Sequence, residues 1–139
     1  MQSSIRIGIV GYGNLGRGVE TSIQKNPDLQ LVGIFTRRAP ETVSPCFATT
    51  SVFHIDSLND FQDKIDVLIL CGGSKDDLPK QTPELASQFN TVDSFDTHAR
   101  IPEFFDAVNA PALANKKTAM ISIGWDPGMF SINRLFGEA

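Results

Sequence analysis

Apolar residues collect in short runs along the chain, separated by segments of mixed polarity that suit helices. Residues 5–10 (IRIGIV) form the first apolar run and Leu29 to Phe35 (LQLVGIF) the second. Val52-Phe53-His54 is a shorter candidate strand. Ile65 to Cys71 (IDVLILC) is almost continuously apolar, the pattern of a parallel strand covered on both faces. Asn90 to Phe95 and Thr118 to Ile123 complete the strand candidates. Helices are predicted from about Leu15 to Gln24, from Pro83 to Phe89, and from Ile101 to about Lys117 with Pro102 in the first turn. The first of these ends before Asn26-Pro27, because a residue preceding proline avoids helical geometry. Ser57 to Lys64 predicts one short helical turn, and Pro111 should kink or divide the helix it interrupts. Between Ala39 and Ser51, two prolines and many Ser and Thr residues predict irregular chain. Strands alternating with helices over short connections imply an α/β fold built on a doubly wound parallel sheet with right-handed crossovers.

The first strand runs directly into Gly11-Tyr12-Gly13-Asn14-Leu15-Gly16, which opens the first helix. A dinucleotide pyrophosphate needs that arrangement: Gly11 for a sharp turn, Gly13 for close backbone approach, and Gly16 for close packing of the helix against the sheet. The free N–H groups at the helix start, with its positive dipole end, would face the phosphates. The alternative is a tight strand-to-helix turn without a ligand. At the end of the second strand stand Thr36, Arg37 and Arg38, where an NAD-preferring site carries a carboxylate. A carboxylate repels a 2′-phosphate, whereas a hydroxyl followed by two guanidinium groups binds one. The expected cofactor is therefore NADP, on a Rossmann-type sheet.

Composition narrows the picture further. A chain of 139 residues, 41% hydrophobic and 20% charged, fits a single globular domain. A net charge of -4 argues against nucleic-acid and anionic-membrane partners. Two cysteines suggest no disulfide framework and suit a reducing cytoplasm. MQSSIR leads straight into the first strand, so no signal peptide is expected, and no apolar run is long enough to span a membrane.

In a sheet of this kind ligands lie beyond the carboxyl ends of the strands. Cys71-Gly72-Gly73-Ser74 occupies one such end and reads either as a plain turn or as a segment approaching ribose and nicotinamide. Cys71 itself reads as a packed side chain, since no base is evident beside it. Asp93, Asp96 and His98 share another end. Their spacing matches no familiar metal-ligand set, so no metal is expected. Asp96 reads as a cap or as an anionic site for a substrate ammonium group. Gly124-Trp125-Asp126-Pro127-Gly128-Met129-Phe130 marks a constrained turn, with Asp126 a candidate N-cap for the helix that follows.

Together the strings IVGYGNLGRGVE, LVGIFTRR, DVLILCGG, TVDSFDTH and GWDPGMFSINR, in this order, resemble the N-terminal part of meso-diaminopimelate dehydrogenase, over nearly the whole chain. The resemblance implies NADP-dependent, reversible oxidative deamination at the D-centre of meso-2,6-diaminopimelate, giving L-2-amino-6-oxopimelate (which cyclises to tetrahydrodipicolinate) and ammonia, in lysine biosynthesis. By motif, Gly11, Tyr12, Gly13, Asn14, Leu15 and Gly16 would hold the pyrophosphate, and Thr36, Arg37 and Arg38 the 2′-phosphate. Cys71, Gly72, Gly73 and Ser74 would line the ribose–nicotinamide end. Asp96, Trp125, Asp126 and Met129 would bound the amino-acid pocket, with Asp96 and Asp126 taking the catalytic roles. Relatives continue into a substrate and dimerisation domain and act as homodimers. On that reading residues 1–125 are the cofactor domain, residues 126–139 begin a helix towards a further domain, and the chain is a fragment inactive alone. The competing readings are another NADP amino-acid dehydrogenase and a non-catalytic NADP-binding or redox-sensing module.

Overall fold

A computed structural model of the chain describes residues 4–138. The expectation drawn from the first residues of MQSSIR, and that part of the last helix at Ala139, lie outside the described residues. The chain divides into two compact units, one ending at Gly72 and one beginning at Gly73.

The first unit runs β1 (Ile5–Val10), α1 (Asn14–Gln24), β2 (Leu29–Thr36), β3 (Val52–His54) and β4 (Val67–Leu70). Its strands lie in the order β3-β2-β1-β4 and pair in parallel. Ile9, Val10, Ile34, Phe35, Leu68 and Leu70 are sealed from solvent and form the centre of the core. The stretch from Ala39 to Ser51 is irregular apart from one tight turn at Pro40–Thr42, as its prolines predict. A second turn of the same kind, Ile55–Phe61, brings Phe61 against Phe35 and Phe53, with ring centroids 5.0 and 4.8 Å away. Arg6 binds the loop entering β4: its Nη2 donates to Asp66 Oδ1 at 2.7 Å and its Nη1 to the Asp63 carbonyl at 2.7 Å.

α1 presents Gly16, Glu20 and Ile23 to the interior. That i, i+4, i+7 spacing is the buried stripe of an amphipathic helix, with a carboxylate in the middle of it. The helix stops after Gln24, and the N–H groups of Lys25 and Asn26 turn back to the carbonyls of Ser22 and Ile23.

The second unit runs α2 (Leu78–Ala86), β5 (Asn90–Asp93), α3 (Ile101–Ala114), β6 (Ala119–Met120) and α4 (Met129–Glu138), with β5 and β6 paired in parallel. Its core is Leu78, Leu85, Ala86, Phe89, Phe95, Phe104 and Val108, and the Phe95 and Phe104 rings stack at 4.1 Å. Three elements differ from the sequence expectation. α2 begins five residues before Pro83 and contains it. Pro83 costs only the bond to the Pro79 carbonyl, and burial of Leu78, Thr82, Leu85 and Ala86 outweighs that loss. α3 is continuous through Pro111. The carbonyl that Pro111 leaves without its helical donor belongs to Ala107, an exposed residue whose carbonyl water can reach. The expected strand Thr118 to Ile123 shrinks to Ala119–Met120, because Ser122 takes a left-handed φ of 59° and its N–H turns to the Asp93 carboxylate at 2.9 Å.

Candidate functional site

In the first unit the three glycines of the turn serve three different purposes. Gly11 has a φ of +86°, which L side chains rarely adopt, and its N–H still continues the sheet to the Phe35 carbonyl at 2.8 Å. Gly13 is the N-cap of α1 in an ordinary extended conformation. A Cβ there would meet nothing within 4 Å, so the space in front of it is open for a ligand. At Gly16 a Cβ would lie 2.6 Å from the Gly11 carbonyl oxygen. The sequence reading placed the sheet against Gly16; the close neighbour is the turn's own backbone. The first intrahelical bond runs from Arg17 N–H to the Gly13 carbonyl, and no acidic side chain stands in the first turn to oppose an anion. Open backbone at Gly13 and a helix start without carboxylates fit a pyrophosphate.

Tyr12 turns its side chain inward. It is buried, its phenol donates to Glu20 Oε2, and it accepts from the Cys46 N–H at 2.9 Å. Glu20 is fully buried and also accepts from Thr50 Oγ1 at 2.7 Å and from the N–H groups of Cys46 and Phe47. Burial pushes the Glu20 carboxyl up, but these hydrogen bonds outweigh it and hold the group below the ordinary carboxylate value. The Tyr12 phenol moves upward, chiefly by desolvation and further by its Cys46 and Glu20 partners.

At the end of β2, Thr36 is buried and its Oγ1 accepts the Arg38 N–H at 3.1 Å. A hydroxyl that accepts in this way still has a proton to donate. Arg37 and Arg38 are exposed, and Arg38 Nη2 donates to the Tyr12 carbonyl at 2.7 Å, which brings that guanidinium to the glycine turn. Cys71 is half-buried, and burial pushes its thiol up to about 12. A thiol kept protonated by burial suits the packed role read from the sequence. Gly72 follows it at the end of the unit.

In the second unit, Gly73 donates its N–H to Asp77 Oδ2 at 2.9 Å, and the Ser74 hydroxyl accepts the Asp96 N–H at 2.7 Å. The Asp96 residue is exposed. Asp93 is not: at 1% exposure it accepts from Thr82 Oγ1, Phe95 N–H and Ser122 N–H, all within 3.0 Å. Of the two carboxylates at this strand end, one locks the fold and the other faces solvent. Asp126 Oδ1 lies 3.2 Å from His98 Nε2 and 3.3 Å from both Ser131 Oγ and Arg134 Nη2. Its carboxylate thus takes side-chain donors, while the Phe130 N–H goes to the Trp125 carbonyl at 2.8 Å. Gly128 closes the turn at φ +141°, and a Cβ there would overlap the Gly124 carbonyl oxygen. Trp125 is 67% exposed and Met129 57%. Among the described residues no group of three or more His, Cys, Asp or Glu side chains could hold a metal ion.

Sequence reasoning missed Glu20 and the structural role of Asp93. The signal for Glu20 was present: a carboxylate four residues past Gly16 and three before Ile23, on the face that must be buried. Asp93 gives no such signal, because two of its three partners, Thr82 and Ser122, stand 11 and 29 positions away in the sequence.

Parallel strands, a glycine turn into α1 and a basic end to β2 define a Rossmann-type α/β fold of the kind that binds dinucleotides. No family model matches the chain. Among curated proteins it is 63% identical over 136 residues to the meso-diaminopimelate D-dehydrogenase of Ureibacillus thermosphaericus, covering 98% of this chain and 41% of that protein. The crystal structure of the Corynebacterium glutamicum diaminopimelate dehydrogenase in complex with diaminopimelate matches 96% of this chain and 40% of that one, at TM-score 0.86 and 48% identity. An engineered D-amino acid dehydrogenase bound to NADP+ matches over the same shares, at TM-score 0.87 and 48% identity. The chain is homologous to the N-terminal part of the meso-diaminopimelate dehydrogenases, and it spans about two fifths of the length of the relatives it matches.

Proposed function

We propose that this chain is the NADP-binding part of an NADP-dependent amino-acid dehydrogenase that acts on the D-centre of meso-diaminopimelate. The observation that carries the reading is the end of β2. A buried hydroxyl and an Arg38 guanidinium, held to the glycine turn, stand where an NAD site would place a carboxylate. Gly11 to Gly16 would take the pyrophosphate, Thr36 to Arg38 the 2′-phosphate, and Cys71 to Ser74 the ribose–nicotinamide end. When bound, NADP supplies the hydride acceptor for oxidation of the amine-bearing carbon; hydrolysis of the resulting imine releases ammonia.

In the second unit Asp96 and Asp126 would hold the substrate ammonium group and take its proton before hydride leaves. Trp125 and Met129, both exposed, would add apolar surface to that pocket. Asp126 is partnered by His98, Ser131 and Arg134, so an incoming ammonium would exchange for one of these donors. Residues 1–125 would form the cofactor domain and residues 126–139 the start of a helix leading to a substrate and dimerisation domain. The exposed Leu135 and Phe136 side chains of α4 support a covering partner of that kind. Among the described residues no helix is long and apolar enough to cross a membrane. A cytoplasmic location suits the two free cysteines, and the full form would be a homodimer.

The test is fluorescence titration of the chain with NADPH and with NADH at low salt. NADPH is expected to bind well ahead of NADH, and replacing Arg37 and Arg38 together by Ala to weaken NADPH selectively by about 1.5–3 kcal/mol per lost charged hydrogen bond. Equal affinities for the two cofactors would overturn the reading.

A further inference from the structure

We infer that Glu20 is a positioning residue for recognition of the 2′-phosphate: through Tyr12 it fixes the carbonyl on which Arg38 is anchored. The inference rests on the NADP reading above. Glu20 occupies the centre of the buried stripe of α1, where an alkyl side chain would satisfy the fold. A carboxylate sealed from water is costly unless donors surround it. Four donors converge on this one: the Tyr12 phenol, Thr50 Oγ1, and the N–H groups of Cys46 and Phe47.

These contacts connect three parts of the first unit. Tyr12 belongs to the glycine turn, Glu20 to α1, and Cys46, Phe47 and Thr50 to the irregular stretch that follows Arg38. Tyr12 is held at both ends, its phenol by Glu20 and its carbonyl by Arg38 Nη2 at 2.7 Å. A second cation closes on the same residue: the Arg17 guanidinium lies 5.4 Å from the Tyr12 ring centroid, and its Nη1 donates to the Ser44 carbonyl. Without the carboxylate the Tyr12 ring is released, its carbonyl loses a fixed direction, and Arg38 regains the rotamer freedom it must give up to bind phosphate. NADH has no 2′-phosphate, so the charge of Arg38 adds nothing to its binding. Glu20 thereby acts on selectivity between the two cofactors, a quantity that general bracing of the fold would not move.

The test compares the 139-residue chain with its Glu20→Gln, Thr50→Val and doubly substituted forms. Dissociation constants for NADPH and NADH and the thermal midpoint are measured for each. Glu20→Gln is expected to weaken NADPH about tenfold, and Thr50→Val to act in the same direction by less, while NADH changes less than about twofold in each. The double variant is expected to be no worse than Glu20→Gln alone, since both substitutions act on the same contact. Equal weakening of both cofactors, or no weakening, overturns the proposal and leaves Glu20 a brace. Should Glu20→Gln fail to fold, Thr50→Val, which removes one donor to the carboxylate and lies outside the glycine turn, decides by the same ratio. An unsubstituted chain without preference for NADPH overturns the cofactor reading and this inference with it, a result distinct from loss of selectivity only in the variants.

Discussion

A methyl group added at Gly16 would press on the Gly11 carbonyl, whereas one added at Gly13 would point into open space. The two glycines of one turn therefore separate fold from function. Gly13→Val is expected to keep the thermal midpoint close to that of the parent, because its φ of -99° suits any residue. It is also expected to abolish NADPH binding, since the new side chain fills the place where the pyrophosphate meets the backbone. Calorimetry with and without NADPH checks both halves, and normal binding would make the turn an ordinary one. Asp93 is the opposite case, a polar residue whose work is wholly structural. Asp93→Ala leaves Thr82 Oγ1 and the N–H groups of Phe95 and Ser122 without their acceptor. The expected loss is about 3 kcal/mol of stability in urea unfolding, since stranding buried donors costs about 1–3 kcal/mol each and such costs are not additive.

At the scale of elements, β1 and the entry to β4 are joined by Arg6 and Asp66. Hydrogen bonds from the Arg6 side chain, then from its backbone N–H, bring the Asp66 carboxyl down from 3.8 to about 2. The sign follows from linkage: a carboxyl with a lowered folded-state value contributes stability that is complete above its unfolded value and disappears as pH falls through the folded one. The contribution is thus present above about pH 4 and lost towards pH 2, and Asp66→Asn should flatten that part of the stability profile. Thermal midpoints of both proteins between pH 2 and pH 6 check it; parallel profiles would deny the pair any role. Because both side chains are about 40% exposed, the effect should shrink in high salt.

At the scale of the whole molecule, the chain spans about two fifths of its relatives, so activity is the sharpest question. The chain alone is expected to bind NADPH but to oxidise meso-diaminopimelate very slowly. Substrate held from one side lacks the orientation that accounts for roughly 7–11 kcal/mol of barrier lowering in well-positioned reactions. Fusion to the remaining part of the Ureibacillus thermosphaericus relative should restore turnover, followed as NADPH formation. In that fusion Asp126→Asn should cut turnover with NADPH affinity nearly unchanged. Comparable rates for the chain and the fusion would mean that the site is complete without the added part. Apolar runs, a glycine turn and a basic strand end are local patterns, and the sequence alone determined from them the parallel strands, a helix starting at about Leu15, one residue from its start at Asn14, and the candidate cofactor residues. Its errors fell where local propensity and tertiary burial compete. Pro83 and Pro111 sit inside helices because packing outweighs one lost hydrogen bond, and β6 stops early because a distant carboxylate captures the Ser122 N–H. Only the tertiary structure decided that Glu20 grips Tyr12, that Asp93 is buried while Asp96 is exposed, and that Arg38 reaches the glycine turn. Those contacts join residues 8 to 29 positions apart, and no local pattern records which distant donor a buried carboxylate will meet.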